Sequence, residues 1–456
     1  MPMKKITVYI ISKNYGEFVE EAIKSVLRQT YSDWELFLVD EGSTDGTREI
    51  FNKYQNNNNI YVLETAGIGL PAVGNIITSE SNGDYIIRLD GDDIFDDHIL
   101  TILSHYLDMY SDVALAFPDY YLIDRHGEIF SHETRPQIYR DDHALDIPPN
   151  GACTMIRKSA LLEVGGYRED LGAQDGLDLW IKMRGRYRSR NISLPLFYYR
   201  RHGDNLTNNS VRIATARRTL KNSAVNCNNK PKVPIIAIIP CRRNFDFTQD
   251  VWNTKLGGLT LLERDITTCL RSEYIQKIIV ACDNPNAEEI VDQFDDDRVK
   301  FYLRSEQSTR PSNQLSELLR NIIEVYDPLY SGISVVRYLQ TPFVTAETID
   351  EAISTLMLSD ADSVFAIEEI RSEIFRRTAF GLGLVNGPRG VHIGTEPLYR
   401  NASTCVAHRA KNLISGSIGG ASKIGFPVSA AESFFISSAR DLQIAASLIK
   451  MPEPHR

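Results

Sequence analysis

Two carboxylates one residue apart, Asp90 and Asp92, stand in the run Leu89-Asp90-Gly91-Asp92-Asp93, directly after the apolar stretch Tyr85 to Leu89. Side chains so spaced at a strand end can converge on one point. A hard divalent cation takes such oxygen ligands and keeps positions open for substrate phosphates. The same run also suits a helix N-cap before Ile94, a role open to Asp93. A second acidic block, Val39-Asp40-Glu41-Gly42-Ser43-Thr44-Asp45-Gly46-Thr47, likewise follows an apolar run. Asp40 can accept a hydrogen bond from a nucleobase N–H or a ribose hydroxyl, whereas Ser43 and Asp45 suit the turn and the cap of the next helix. A third block is Gln174-Asp175-Gly176-Leu177-Asp178-Leu179-Trp180. Asp175 opens a stretch whose Leu177, Trp180 and Ile181 mark the core face of a helix. There it reads either as a capping residue, because a helix N-terminus tolerates an anion, or as a general base at an acceptor hydroxyl.

The elements that must position these groups follow from the apolar pattern. Ile6 to Ile11 (ITVYII), Trp34 to Val39 (WELFLV), Asn59 to Leu63 and Tyr85 to Leu89 (YIIRL) read as buried parallel strands. Between the first two, Phe18, Ala22, Ile23, Val26 and Leu27 fall at helical spacing over Glu17 to Gln29. Strands alternating with helices predict a doubly wound α/β sheet. In such a sheet ligands bind beyond the carboxyl ends of the strands, which is where Asp40 and Asp90 stand. The alternation restarts at Val233 to Ile239 (VPIIAII) and continues through Ile278 to Ala281, Val299 to Leu303, Val335 to Leu339 and Ser363 to Ile367. Before it, the polar cluster Thr207 to Ser210, a basic helical stretch with Arg212, Arg217 and Arg218, and Asn226 to Pro231 read as a linker containing a helix. The expected organisation is one α/β domain over 1–210, a linker over 211–231 and a second α/β domain over 232–456, with the boundary near Lys230.

The 456 residues are enough for two cores. A formal net charge of -10 argues against nucleic acid as a partner. The six cysteines show no CxxC spacing, so a zinc site or redox dithiol is not expected, and reduced thiols in a cytosolic compartment are. Met1 to Val8 lacks the pattern of a signal peptide, and no apolar window approaches a membrane-spanning length. The expected location is cytoplasmic, and peripheral contact with the inner face of a membrane stays compatible with it.

Taken in order, the motifs resemble a family 2 glycosyltransferase with the GT-A fold. They are Ser12-Lys13-Asn14, the Asp40 to Thr47 block, Asn75, Asp90-Gly91-Asp92-Asp93, the Gly165-Gly166-Tyr167 turn after Asn150-Gly151, Asp175 to Trp180, and Tyr199-Arg200-Arg201-His202. The resemblance covers nearly the whole first domain. It implies a nucleobase-binding role for Asp40 and roles for Asp90 and Asp92 in a metal and ribose–diphosphate motif, with Asp92 the metal ligand. It also implies that Asp175 is the catalytic base, that Arg200 and His202 lie near the diphosphate, and that Ser12, Asp45 and Asn75 belong to the donor site. The implied cofactor is Mg2+ or Mn2+. Two positions depart from the family: Gln174 stands where Glu is frequent, and Gly74 where Arg is common.

The second half resembles, more weakly, the cytidylyltransferases that activate acidic sugars with CTP. The resemblance rests on Pro240-Cys241-Arg242-Arg243, Lys255-Leu256-Gly257-Gly258, Ile278 to Asp283 and Leu339 to Phe343. That family holds the triphosphate in a Gly- and Ser-rich loop, but Arg243 to Asn253 contains no glycine. The stretch that matches its magnesium-binding aspartates, Ala431 to Ser437, contains no Asp. Arg242 and Lys255 remain candidate phosphate contacts. The expected protein is an inverting, metal-dependent glycosyltransferase moving a sugar from a nucleotide-sugar donor to a glycan, lipid-linked or protein-linked acceptor in surface polysaccharide or glycoconjugate synthesis, with a non-catalytic nucleotidyltransferase-like domain. Two alternatives stand beside it: a bifunctional enzyme whose second domain makes the CMP-sugar, and a second domain serving as a binding or assembly module.

Overall fold

The computed structural model describes residues 4–134, 151–203, 210–227, 233–243, 247–305, 308, 315–370, 372, 374–379, 381–385 and 398–450. Asn150, the Thr207 to Asn209 cluster and Lys230 lie outside them. Contacts divide the chain inside one helix: residues 1–217 with 373–396 form one unit, and 218–372 with 397–456 the other.

In the first unit the elements run β1 (Ile6–Ser12), α1 (Val19–Leu27), β2 (Trp34–Asp40), α2 (Thr47–Asn52), β3 (Ile60–Glu64), α3 (Leu70–Glu80), β4 (Tyr85–Asp90) and β5 (Ile94–Phe95). Then come α4 (Ile99–Met109), β6 (Val113–Ile123), β7 (Ile129–Glu133), β8 (Met155–Arg157), α5 (Lys158–Glu163), α6 (Asp175–Met183), β9 (Arg188–Arg200) and α7 (Ser210–Cys227). The sheet order is β3-β2-β1-β4-β8-β6-β9-β5, with β7 on β6. The first four strands are parallel, as their uninterrupted apolar runs predict. Beyond β4 the sheet becomes mixed, because β8 pairs antiparallel with both β4 and β6 while β6 and β9 run parallel. Register does the positioning. Ser12 pairs with Asp40 and Ile11 with Asp90, so three motif segments end at one level of the sheet. Beneath them Val8, Ile10, Leu36, Leu38, Ile87 and Leu89 form a closed apolar core.

The second unit continues with β10 (Ile235–Pro240), β11 (Lys255–Leu256), β12 (Leu259–Thr260), α8 (Leu261–Leu270), β13 (Lys277–Cys282), α9 (Ala287–Val291), β14 (Val299–Leu303), α10 (Leu315–Tyr326), β15 (Ile333–Arg337) and α11 (Ala346–Met357). After these come β16 (Ser363–Ile370), β17 (Phe375–Thr378), β18 (Gly381–Leu384), β19 (Leu398–Arg409), β20 (Lys423–Pro427) and α12 (Ala439–Lys450), of which β17 and β18 group with the first unit. Its sheet runs β14-β13-β10-β15-β19-β16-β20, parallel through β15 and mixed beyond. Strand alternation sends Ile235, Ala237 and Ile239 into one core layer and Ile236 and Ile238 into another, the latter closed by Leu319 and Ile322 of α10. The strand expected over Val335 to Leu339 starts and ends two residues earlier. Arg337 is anchored to Asp265 at 2.6 Å, and the chain then turns, with Thr341 N–H donating to the Tyr338 carbonyl. Among the described residues no helix is long and apolar enough to cross a membrane.

Candidate active site

A cavity of about 1050 Å³ opens at the carboxyl ends of β1 and β4. Ser12, Asp45, Asp90, Asp92, Asp175 and His202 all line it, so the structure brings together six of the residues expected from sequence. Two loops frame it. Asp45 accepts hydrogen bonds from Gly16 N–H (2.8 Å) and Thr47 N–H (3.0 Å), and Asn14 Oδ1 accepts from Thr44 N–H (2.7 Å). The loops after β1 and β2 are thereby laced together. Burial opposes ionisation of Asp45, but the Thr47 and Gly16 bonds outweigh it and hold the carboxyl below its ordinary range.

The acidic run is electrostatically crowded. Burial pushes Asp90 up to about 6; Arg88 opposes that, while Asp92 and Asp175 repel its charge. Asp92 is also raised by burial, against the hydrogen bond from His202. Asp93 lies well above its ordinary value because it is buried beside Asp92 and Asp90. Asp93 caps no helix: β5 follows it, and its Oδ1 accepts from Arg200 N–H at 2.8 Å. Asp90 Oδ1 and Asp93 Oδ2 have no hydrogen-bond partner among the described residues. Two crowded carboxylates facing one cavity, Asp90 and Asp92, fit a hard divalent cation, which needs only one or two protein carboxylates beside a diphosphate. No group of three or more metal-ligating side chains converges among the described residues. His202 Nε2 lies 2.9 Å from Asp92 Oδ2, and its ring stacks on Phe18 and meets Tyr15 edge-on.

Three expected donor contacts stand behind the cavity wall rather than on it. Asp40 is buried, and its Oδ1 accepts from Ser43 N–H at 2.9 Å, closing the turn after β2. Asn75 pins α3 to the Gly165-Gly166-Tyr167 turn, donating to the Tyr167 carbonyl at 3.0 Å and accepting from Tyr167 N–H at 2.8 Å. The Arg200 guanidinium is 1% exposed and is used by the Asp92 and Arg125 carbonyls and by Glu21. Its neighbours Arg201 and His202 reach the cavity instead. Asp178 is likewise turned inward, bound to Lys182 at 2.8 Å and to Arg168 N–H at 3.1 Å, which leaves Asp175 as the cavity carboxylate of α6.

Arg88 went unrecognised in the sequence. Only 7% exposed, it forms an ion pair with Asp175 and lies 2.9 Å from Asp90 Oδ1. A charge inside the otherwise apolar YIIRL strand is the signal that marks it.

In the second unit Arg242 follows β10, and the exposed Lys255 opens the β11–β12 hairpin. Of the glycine-free loop, residues 244–246 lie outside the described set. Asp250 adopts a left-handed φ of 46° and accepts from Trp252 Nε1 (2.9 Å) and Asn284 Nδ2 (3.0 Å). In the stretch matched to magnesium-binding aspartates, Glu432 is occupied by Arg218 at 3.1 Å, by the Thr348 hydroxyl and by Ser429.

Two family models match separate stretches of the chain. Residues 7–165 match the model of glycosyl transferase family 2, and residues 254–415 match that of the cytidylyltransferases. The first unit therefore carries a family 2 glycosyltransferase domain and the second a cytidylyltransferase-like one. A cholesterol galactosyltransferase of Borreliella burgdorferi is 37% identical over 100 residues, which span 22% of this chain and 28% of that protein. A putative glycosyltransferase, EpsE, of Bacillus subtilis is 28% identical over 210 residues, 44% of this chain and 74% of that protein. Among solved structures, TarS 1–349 of S. aureus in complex with UDP-GlcNAc aligns at 17% identity over 49% of this chain and 66% of that one, with a TM-score of 0.41.

Proposed function

We propose that the first unit is an inverting, metal-dependent glycosyltransferase that uses a nucleotide-sugar donor and a hydroxyl acceptor on a glycan, lipid or protein, in the synthesis of a surface polysaccharide or glycoconjugate. The observation that carries this reading is the convergence of Asp90, Asp92 and Asp175 in one cavity at the carboxyl edge of the sheet. Ser12 and Asp45 line its donor side, and Asp40 shapes the loop that a nucleobase would meet. Asp92 and Asp90 are the residues that would hold Mg2+ or Mn2+, whose chemistry is to neutralise the leaving diphosphate. His202 orients Asp92. Asp175 takes the proton of the acceptor hydroxyl as that oxygen attacks the anomeric carbon. One in-line displacement inverts the anomeric configuration, and holding donor and acceptor in near-attack geometry supplies much of the rate.

For the second unit, the occupied Glu432 and the glycine-free loop support a non-catalytic domain. Backbone N–H groups approach a triphosphate closely where glycine permits it, and Arg243 to Asn253 offers no glycine. The reading is tested by incubating the intact protein with manganese, a panel of UDP-, GDP-, dTDP- and CMP-sugars and mixed glycan acceptors. Release of nucleotide from one donor, dependent on manganese and increased by acceptor, is expected. Indifference to every donor, or turnover unaffected by excess chelator, would sink it.

A further inference from the structure

We propose that Arg88 is a positioning residue that turns Asp175 toward the acceptor and couples it to Asp90. The proposal rests on the glycosyltransferase reading and names how the base of that site is set. Arg88 and Asp90 are two residues apart on β4, so their side chains leave the same face of the sheet. Asp175 is the first residue of α6, 87 positions along the chain. The guanidinium joins the two: Nη1 donates to Asp175 Oδ2, and Nε lies 2.9 Å from Asp90 Oδ1. The Arg88–Asp90 contact is a charge contact without hydrogen-bond alignment, since neither atom has a hydrogen-bond partner among the described residues.

A guanidinium this deeply buried is costly unless it is paired, and removing one partner of such a pair leaves the other charge exposed to the full penalty. The backbone is built around the pair. A Cβ on Gly151 would stand 2.9 Å from Arg88 Nη2 and 3.0 Å from Asp175 Oδ2, so any side chain there would push into the contact. Gly151, Arg88, Asp90 and Asp175 all line the same cavity. With Oδ2 held by Arg88, Oδ1 is the oxygen of Asp175 left to meet an acceptor hydroxyl. A rigid planar fork suits this task better than a lysine ammonium, because it can face two carboxylates in fixed directions.

The test uses the full chain and four variants: R88K, R88Q, D175N and the double variant R88Q/D175N. Steady-state kinetics are read with the best donor of the panel, and crystal structures of wild type and R88Q are compared. R88Q should lower kcat by on the order of tenfold to a hundredfold while donor KM moves by less than about threefold, the mark of an interaction made in the transition state. R88K should recover part of the loss. Because Arg88 acts through Asp175, adding R88Q to D175N should cost less than about threefold further, a non-additivity expected of residues that work as a unit. In the R88Q crystal the Asp175 carboxylate should leave its wild-type position. A loss carried by donor KM would reassign Arg88 to the diphosphate and overturn the proposal, as would additive losses. If no donor is consumed by wild type, the glycosyltransferase reading falls by itself, and the crystals still decide: a displaced Asp175 sustains the positioning role, and an unmoved one overturns it. Should R88Q fail to fold, R88K carries the same comparison.

Discussion

A Cβ on Gly74 would stand 2.8 Å from Cε2 of Tyr167, inside the distance at which two carbons repel. The Tyr167 ring thus fills the space beside Gly74. Asn75 locks the arrangement by holding both the N–H and the carbonyl of Tyr167. A long side chain at position 74 would have to displace this packed aromatic, and placing an arginine there should harm the protein. G74R is expected to lower stability by about 1–3 kcal/mol, the scale of overpacking in a filled core. G74A, which adds only the Cβ, should cost less than G74R. Denaturant unfolding monitored by circular dichroism reads both, and a G74R variant as stable as wild type would show that the ring yields.

Removing a charge from the acidic run tests the carboxylates apart from folding. D92N keeps an acceptor for His202 but relieves the repulsion that raises Asp90 and Asp93. Without metal the variant should be no less stable than wild type. Transfer should fall by on the order of a thousandfold, the scale seen when a clamp on developing charge is lost. Manganese titration followed by transfer rate and by thermal shift checks both halves of this expectation. Retained transfer with normal manganese dependence would take Asp92 out of the site.

Much of the first domain could be read from the chain, and the residues that escaped did so for physical reasons. ITVYII and WELFLV are legible because a strand buried on both faces tolerates little besides apolar side chains. The carboxylates of Asp90 and Asp92 were legible because they stand at the end of such a strand, and that of Asp175 because it opens a helix with an apolar face. Arg88 was not, since its partners are 2 and 87 residues away and only the fold joins them. Arg200 illustrates the complementary difficulty. In Tyr199-Arg200-Arg201-His202 the strand β9 ends at Arg200, and spacing alone does not say which side chains of such a strand end face the cavity. The answer came from Glu21 and the Asp92 carbonyl, which claim Arg200 and leave Arg201 and His202 at the cavity. Asn75 and Asp40 were legible as polar exceptions, but hydrogen bonds to Tyr167 and Ser43 show them supporting loops.

His408 provides a pH prediction in the second unit. It is fully buried on β19, and burial pushes its pKa down to about 4. In the unfolded chain the ring titrates near 6.5. Below that value the unfolded state binds a proton that the folded state refuses, so the stabilisation present above pH 6.5 is lost as pH falls toward 4. The total is about 3 kcal/mol, an order-of-magnitude figure from the linkage of pKa to stability. Asp350 runs the other way, since burial raises it to about 6 and acidification relieves it. The difference between wild type and H408Q removes that common term. Unfolding free energies at pH 7, 6, 5 and 4 should show wild type losing ground to H408Q as pH falls, and a pH-independent difference would refute the assignment.

The second unit should not catalyse nucleotidyl transfer. Glu432 is already taken by Arg218, Thr348 and Ser429, and a triphosphate's displacement needs its charge clamped. Incubated with CTP, magnesium and a panel of 2-keto sugar acids, the protein should release no pyrophosphate above background. Sustained release that needs both CTP and one sugar acid would promote the bifunctional alternative.

The last prediction concerns where that unit begins. A boundary drawn at residue 231 discards Arg218 and Lys221, yet Lys221 Nζ lies 3.2 Å from Glu351 Oε1 with both side chains wholly buried. Arg218 adds a contact to Glu351 Oε2 at 3.1 Å and bridges it to Glu432. A fragment starting at 231 would strip Glu351, buried on α11, of both of these cations. Breaking a buried pair by removing one partner costs about 3–5 kcal/mol, because the remaining charge must be neutralised or hydrated. The fragment 210–456 is therefore expected to unfold cooperatively at clearly higher denaturant than 231–456, and E351Q should narrow the gap by uncharging the abandoned carboxylate. Urea titrations of the two fragments, each with and without E351Q, provide the comparison. Equal midpoints for the two unsubstituted fragments would show that the C-terminal half of α7 is dispensable to the unit's stability.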